Sequence, residues 1–268
     1  VQSASSRLGV KGSEKLGNGL SAIYKMEFGV DMADEATGDK KGSFQARNQF
    51  VGLTGGFGTL VAGRHDTPMK LAIAKYDLFG DQIGDNGNLT MYNFRAPNVV
   101  AYMLPKMGGF NGAVAYVADY NGNFKNGNNA DNNDNQAYNV QLGYAHKNFT
   151  IDGVYQSWDS ANETYTDWMI GAGVKFGGLK VNALYQKPDE DMGVDVDIYG
   201  LGAAYTFGNN TISLLRGCEA QVLISPEIGL TRGGLRAAFF VGAPGRAHSL
   251  GGGSLLLVKS RLFINGEK

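Results

Sequence analysis

Tyr138-Asn139-Val140-Gln141-Leu142-Gly143-Tyr144-Ala145 decides the fold. Tyr138, Val140, Leu142 and Tyr144 share one parity, and Asn139, Gln141, Gly143 and Ala145 the other, which makes a β-strand with one apolar and one polar face. The pattern continues downstream. Phe149, Ile151, Gly153 and Tyr155 oppose Thr150, Asp152 and Gln156, with Val154 out of pattern. Trp168, Ile170, Ala172, Val174 and Phe176 oppose Asp167, Gly171, Gly173 and Lys175. Leu179, Val181, Ala183 and Tyr185 oppose Lys180, Asn182 and Gln186, with Leu184 out of pattern, and Tyr199, Leu201, Ala203, Tyr205 and Phe207 oppose Gly200, Gly202 and Thr206.

The connections alternate in length. Tight turns are read at Leu16-Gly17-Asn18-Gly19, Gly55-Gly56-Phe57-Gly58, Lys106-Met107-Gly108-Gly109, His146-Lys147-Asn148, Gly177-Gly178 and Gly208-Asn209-Asn210. Longer polar loops lie at Ala33 to Ser43, His65 to Phe94, Asn121 to Gln136, Asp159 to Glu163 and Lys187 to Val194. Short and long in turn is the reading of an up-and-down antiparallel barrel with tight turns at one rim and excursions at the other. About twelve strands fit between Ser6 and Leu214. Beyond Leu214 the alternation and the aromatic rows stop, so residues 1–214 are read as the barrel and 215–268 as a divergent segment.

Composition narrows the class. The chain has 268 residues, 24 Lys+Arg against 25 Asp+Glu, and a net charge of -1, with no basic run to suggest nucleic acid as a partner. Glycine, at 40 residues, is roughly twice average usage, while only 6 prolines occur, so this is no Pro/Gly-rich disordered tract. One cysteine, Cys218, excludes a disulfide framework and any zinc site built on several thiolates. The apolar runs are too short for a transmembrane helix. The start, Val1-Gln2-Ser3-Ala4-Ser5, lacks the charged and apolar regions of a leader. A membrane β-barrel stays open, because its strands are only half apolar. The aromatics favour it: they bracket the apolar rows, as in Tyr138/Tyr144, Phe149/Tyr155, Trp168/Phe176 and Tyr199/Phe207, forming two girdles around an apolar band. The other face, with Asp, Lys, Asn, Gln and Gly, suits a wet lumen.

The candidate site is the loop from His65 to Phe94, far longer than a hairpin connection and so a functional candidate. It contains Asp77 and Asp81, four apart, which share a face if the segment Tyr76 to Asp81 is helical. The alternative for both is a pair of solvated loop acids. Basic residues recur at inward parity on the early strands: Arg7 with Lys11, Lys25 beside Glu27, then Arg47. Catalysis finds no support: His65, His146 and His248 are scattered, with no nucleophile–base grouping and no metal-ligand spacing. The run Asn126 to Asn135 is oxygen-rich but lacks the ordered acids of a calcium loop.

Arg7-Leu8-Gly9-Val10-Lys11-Gly12-Ser13-Glu14 followed by Leu16-Gly17-Asn18-Gly19-Leu20 resembles the opening of general diffusion porins of Gram-negative outer membranes. Gln49-Phe50-Val51-Gly52-Leu53, Gly56-Phe57-Gly58-Thr59 and Gly63-Arg64-His65-Asp66-Thr67-Pro68 resemble the segment preceding the third loop in the Neisseria and Burkholderia-type members. The likeness runs from about Val1 to Ser213. It implies an all-β fold, a transmembrane antiparallel barrel of sixteen strands with the third loop folded into the lumen. It also implies a homotrimer among outer-membrane lipid and lipopolysaccharide, passing small hydrophilic solutes and ions without cofactor or metal. On the family pattern Asp77 and Asp81 match the loop acids of the eyelet, and Arg7, Arg47 and Arg95 the wall arginines, with Arg64 a further basic position beside the loop. The family's Pro-Glu-Phe at the loop acid is replaced by Gly80-Asp81-Gln82, and the family's first strand would precede Val1. The end, Ile264-Asn265-Gly266-Glu267-Lys268, lacks the family's terminal aromatic, so 215–268 is read as a frameshifted, fused or unrelated segment, and over both ends about four of the family's strands are missing or replaced. Two other readings stay open: a non-conducting surface or adhesive barrel, and a soluble carbohydrate-binding β-sandwich.

Overall fold

The structure is a computed structural model that describes residues 6–30, 44–80, 85–118, 136–160, 163–189, 196–208, 210–221, 235–238 and 264–266. Twelve long strands follow one another: β1 Arg7–Gly17, β2 Leu20–Val30, β3 Phe44–Gly55, β4 Gly58–Asp66, β5 Arg95–Met103, β6 Phe110–Val117, β7 Ala137–His146, β8 Phe149–Ser160, β9 Glu163–Phe176, β10 Leu179–Pro188, β11 Val196–Phe207 and β12 Asn210–Gln221. Each pairs antiparallel with its neighbour in sequence, so the sheet order is the chain order. Two helices, α1 Pro68–Tyr76 and α2 Asn86–Leu89, lie between β4 and β5. Two short pieces, β13 Leu235–Ala238 and β14 Ile264–Gly266, both pair with β12. Among the described residues no pairing joins β1 to the far end, so the sheet is open. The Asn126 to Asn135 run lies outside the described residues, as does most of 215–268.

Register follows from the turns. At the first hairpin Gly17, Asn18 and Gly19 have φ of 95°, 49° and 75°, a left-handed run that glycine and asparagine accept at least cost. With that connection fixed, a shift of one residue would exchange the two faces of the strand, so the alternation specifies the pairing.

The faces are inverted relative to a soluble protein. Leu142 is 64% exposed while its neighbour in pattern, Asn139, is 1% exposed. Tyr138, Val140, Phe149, Ile151, Tyr155, Trp168, Ile170, Phe176, Tyr199, Leu201, Tyr205 and Phe207 all stand exposed on the outer face. Aromatic rings meet in a row across the strands near the long-loop rim: Tyr116 with Tyr138 at 5.1 Å, Trp168 with Tyr185 at 5.0 Å, and Tyr185 with Tyr199 at 4.9 Å between centroids. Near the short-turn rim Phe110 meets Tyr144 at 4.8 Å. From Trp168 to Phe176 the outer row spans about 26 Å along the strand, enough for the apolar band of a bilayer.

The inner face is not uniformly wet. Helix α1 contacts β4 and β6 through β10, which a nine-residue helix can do only if the sheet curls around it. Under the helix, β7 to β10 bury Asn139, Asp152, Gln156, Asp167, Asn182 and Gln186. The expectation of a water-facing polar wall is therefore corrected for these strands, because the long loop lies on them. Residues that break the alternation, Val154 and Leu184 among them, mark this landing zone. Val154 packs with Met69, Ala72 and Ile73 of α1 and with Met169, and Leu184 lies over Gly200 beside Leu89 of α2.

Candidate functional site

Helix α1 begins where the sequence dictates. Thr67 caps it, its Oγ1 accepting from Lys70 N at 3.3 Å, and Pro68 occupies the first turn, where its missing N–H costs nothing. Thr67 also closes the base of the excursion, donating from N and Oγ1 to Phe94 O at 3.3 and 3.1 Å. Met69, Ala72, Ile73 and Tyr76 fall on one stripe and are buried against the wall. Burying such side chains contributes about 1.5–3 kcal/mol each for the larger ones. The helix stops at Tyr76. Asp77 is its C-cap, in extended conformation, with its carboxylate accepting from Phe79 N at 3.1 Å, Gly80 N at 2.6 Å and Asn86 N at 3.2 Å. A side chain that offers the backbone its own acceptors competes with the helix and ends it. The helical turn that would set Asp77 and Asp81 on one face is thus absent through Gly80, and Asp81 lies outside the described residues.

Carboxamides on the wall grip the loop's backbone. Asn139 Oδ1 accepts from Met69 N at 3.4 Å, and Asn182 Nδ2 donates to Tyr76 O at 2.8 Å. Gln186 takes both groups of Met91, accepting from N at 3.0 Å and donating to O at 2.7 Å, as a neighbouring strand would. Gln156 Nε2 donates to Tyr92 O at 3.1 Å. The Tyr76 hydroxyl donates to Asp152 Oδ2, to which Lys75 Nζ is paired at 2.5 Å, and Gln141 Nε2 donates to Asp152 Oδ1 at 2.7 Å. Burial, followed by the contact with Asp152, raises the Tyr76 phenol above its ordinary range, so it stays a donor. Replacing Gln186 by alanine leaves the peptide of Met91 unpaired on both sides. Each lost buried bond costs about 1–3 kcal/mol, and faster proteolysis of the 85–94 segment in folded protein checks it; an unchanged cleavage rate counts against the grip.

The basic residues gather on β1 to β5. Arg47 Nε pairs with Glu27 Oε1 at 2.8 Å, and Lys25 Nζ with Glu27 Oε2 at 2.7 Å. Arg95 Nε pairs with Asp66 Oδ1 at 2.9 Å and donates to Asn48 Oδ1 at 2.9 Å, while Asn48 Nδ2 donates to Asp66 Oδ2 at 2.7 Å. Arg47 and Arg64 are near enough to Arg95 to act on it electrostatically. Arg7 pairs in register with Gly29, over which the stem of Arg47 lies. From the loop side α1 adds Lys70, whose Nζ donates to Asn93 O at 3.3 Å and Oδ1 at 3.2 Å. Burial lowers the pKa of Lys70, and Asp66 works against that. The structure therefore brings Arg7, Arg47, Arg64 and Arg95 into one sector, and sets Asp77 at the far end of α1, beyond Tyr76, in its own backbone's bonds. Among the described residues no group of His, Cys, Asp and Glu is arranged to hold a metal ion.

A profile of Gram-negative porins matches residues 1–216. The chain belongs to the Gram-negative porin family. Among curated relatives, this porin is 33% identical over 252 residues to a major outer membrane protein P.IB of Neisseria gonorrhoeae, covering 81% of this chain and 68% of that protein. It is 30% identical over 234 residues to outer membrane porin protein 32 of Delftia acidovorans, covering 76% and 62%. Among solved structures it superposes on the anion-selective porin from Comamonas acidovorans with a TM-score of 0.64 and 25% identity, over 81% of this chain and 69% of that one. The chain thus spans about two thirds of the length of these relatives, and it is an outer-membrane protein of a Gram-negative bacterium. The wall residues Asn139, Gln156, Asn182 and Gln186 and the loop residues Lys70 and Tyr76 were not singled out by the sequence. The signal was the pair of exceptions, Val154 and Leu184, flanked at the same parity by acids and carboxamides.

Proposed function

We propose that the chain lines a water-filled channel through which small hydrophilic solutes and ions diffuse passively, with no chemical step. The observation that carries this reading is the inverted sheet, apolar outside and polar inside, with helices α1 and α2 packed on its inner face. Arg7, Arg47, Arg64 and Arg95 form the basic side of the eyelet in this reading, joined by Lys70, and Asp77 with Asp81 form its acidic side. Fixed charges held apart across a narrow wet space create a transverse field that orders water and favours dipolar solutes. Cations outnumber the carboxylates paired with them, Glu27 and Asp66, which favours anions, and a relative's description as anion-selective agrees with it.

The assembled form is a homotrimer set in outer-membrane lipid and lipopolysaccharide. Residues 1–214 supply the channel and 215–268 form the divergent segment, whose first residues complete β12 to Gln221; the family match ending at residue 216 supports the division. Liposome swelling with sugars of increasing size tests the reading. Swelling that slows as the sugar grows is expected, and no swelling with any sugar contradicts it.

A further inference from the structure

We propose that Asp167 is held as a neutral carboxylic acid, ring-paired with Gln156, and that this proton positions the return limb of the constriction loop. Gln156 on β8 and Asp167 on β9 face each other directly in register, and both are 0% exposed. Gln156 Nε2 donates to Asp167 Oδ2 at 3.0 Å, and Gln186 Nε2 donates to the same oxygen at 2.7 Å. The other oxygens, Asp167 Oδ1 and Gln156 Oε1, are buried with no hydrogen-bond partner. Two acceptors cannot satisfy one another. A single proton on Asp167 Oδ1 makes that atom a donor, supplies Gln156 Oε1 with the partner it lacks, and closes an acid–amide ring.

The surroundings agree. Asp167 is met by Gln156 from β8 and Gln186 from β10, and Tyr92 of the loop and Asp189 just beyond β10 are near enough to interact with it electrostatically. Asp189 is of like charge, and its carboxylate takes Thr166 N at 2.6 Å and Thr166 Oγ1 at 3.1 Å. Lys187, next to Gln186, pairs with Asp197 at 3.6 Å. Among the described residues no cation is paired with Asp167. The other buried wall acid makes the contrast: Asp152 has Lys75 at 2.5 Å and a partner on each oxygen. A lone buried carboxylate without a counter-charge is costly, whereas a hydrogen-bonded neutral acid is not.

The neutral acid acts through its two carboxamides. It orients Gln156, which holds Tyr92 O, and Gln186, which holds Met91 N and O. Infrared spectra and channel recordings of the refolded full chain, with Asp167→Asn beside it, test this. At neutral pH the wild type is expected to carry the carbonyl stretch of a protonated buried carboxyl, absent from Asp167→Asn. The asparagine variant, an isostere of the neutral acid, is expected to fold normally and carry a current as quiet as the wild type's, while Asp167→Leu, which can pair with neither carboxamide, is expected to give a noisier one. Absence of the band, a current from Asp167→Leu as quiet as the wild type's, or failure of the asparagine variant to fold would each overturn the proposal. The current readout rests on the channel reading and the infrared band does not, so silence in the bilayer with the band present refutes only the channel.

Discussion

Leucine in place of Gly171 is expected to lift the constriction loop off the wall and raise the unit conductance. A Cβ at Gly171 would stand 2.2 Å from the Tyr76 ring, far inside contact distance. Strand β9 cannot retreat, because Gly171 is held in register by Asp152 on one side and Leu184 on the other. The ring cannot slide either, since its hydroxyl is bonded to Asp152 and its carbonyl to Asn182. What yields is the docking of α1, worth about 3–5 kcal/mol at a buried aromatic of this size. Tyr76→Ala removes the same contact from the other side. The double variant should therefore conduct like either single one, the non-additivity expected of residues in contact. Unit conductance in planar bilayers checks this, and a wild-type value for a folded Gly171→Leu chain would refute the loop's placement.

The second large effect is on selectivity. Arg47→Ala combined with Arg95→Ala removes two positive charges and leaves Glu27 to Lys25 and Asp66 to Asn48. Neither arginine takes part in the grip of β7 to β10 on α1, so the loop stays in place. The reversal potential under a salt gradient is expected to move toward the cation side by a measurable part of the full scale of about 59 mV per decade for a unit charge. A reversal potential equal to that of the wild type would remove these arginines from the eyelet.

The fold was legible in the sequence because a strand exposed to lipid on one face and to the lumen on the other must alternate, and every pair of residues repeats the message. The same periodicity hides the loop's landing site, since a polar residue at inward parity reads alike whether water or a peptide lies over it. Gln156 and Gln186 look like pore lining and are in fact clamps on Tyr92 and Met91. Apolar intruders such as Val154, Met169 and Leu184 distinguish covered wall from wet wall, and their meaning needs the helix in place. The acids were harder. Asp77 and Asp81 have helical spacing, yet a local carboxylate that can bond Phe79 N and Gly80 N ends the helix before the spacing counts. The arginines come together because strands β1 to β5, which carry them, are adjacent in sequence and in the sheet.

The central claim is that the polar face of this sheet encloses a continuous aqueous path. Planar-bilayer recording of the refolded chain tests it most directly. Stepwise, ohmic currents that scale with salt concentration are the result this account predicts. Electrical silence from a chain shown to be folded and inserted in the bilayer would contradict it.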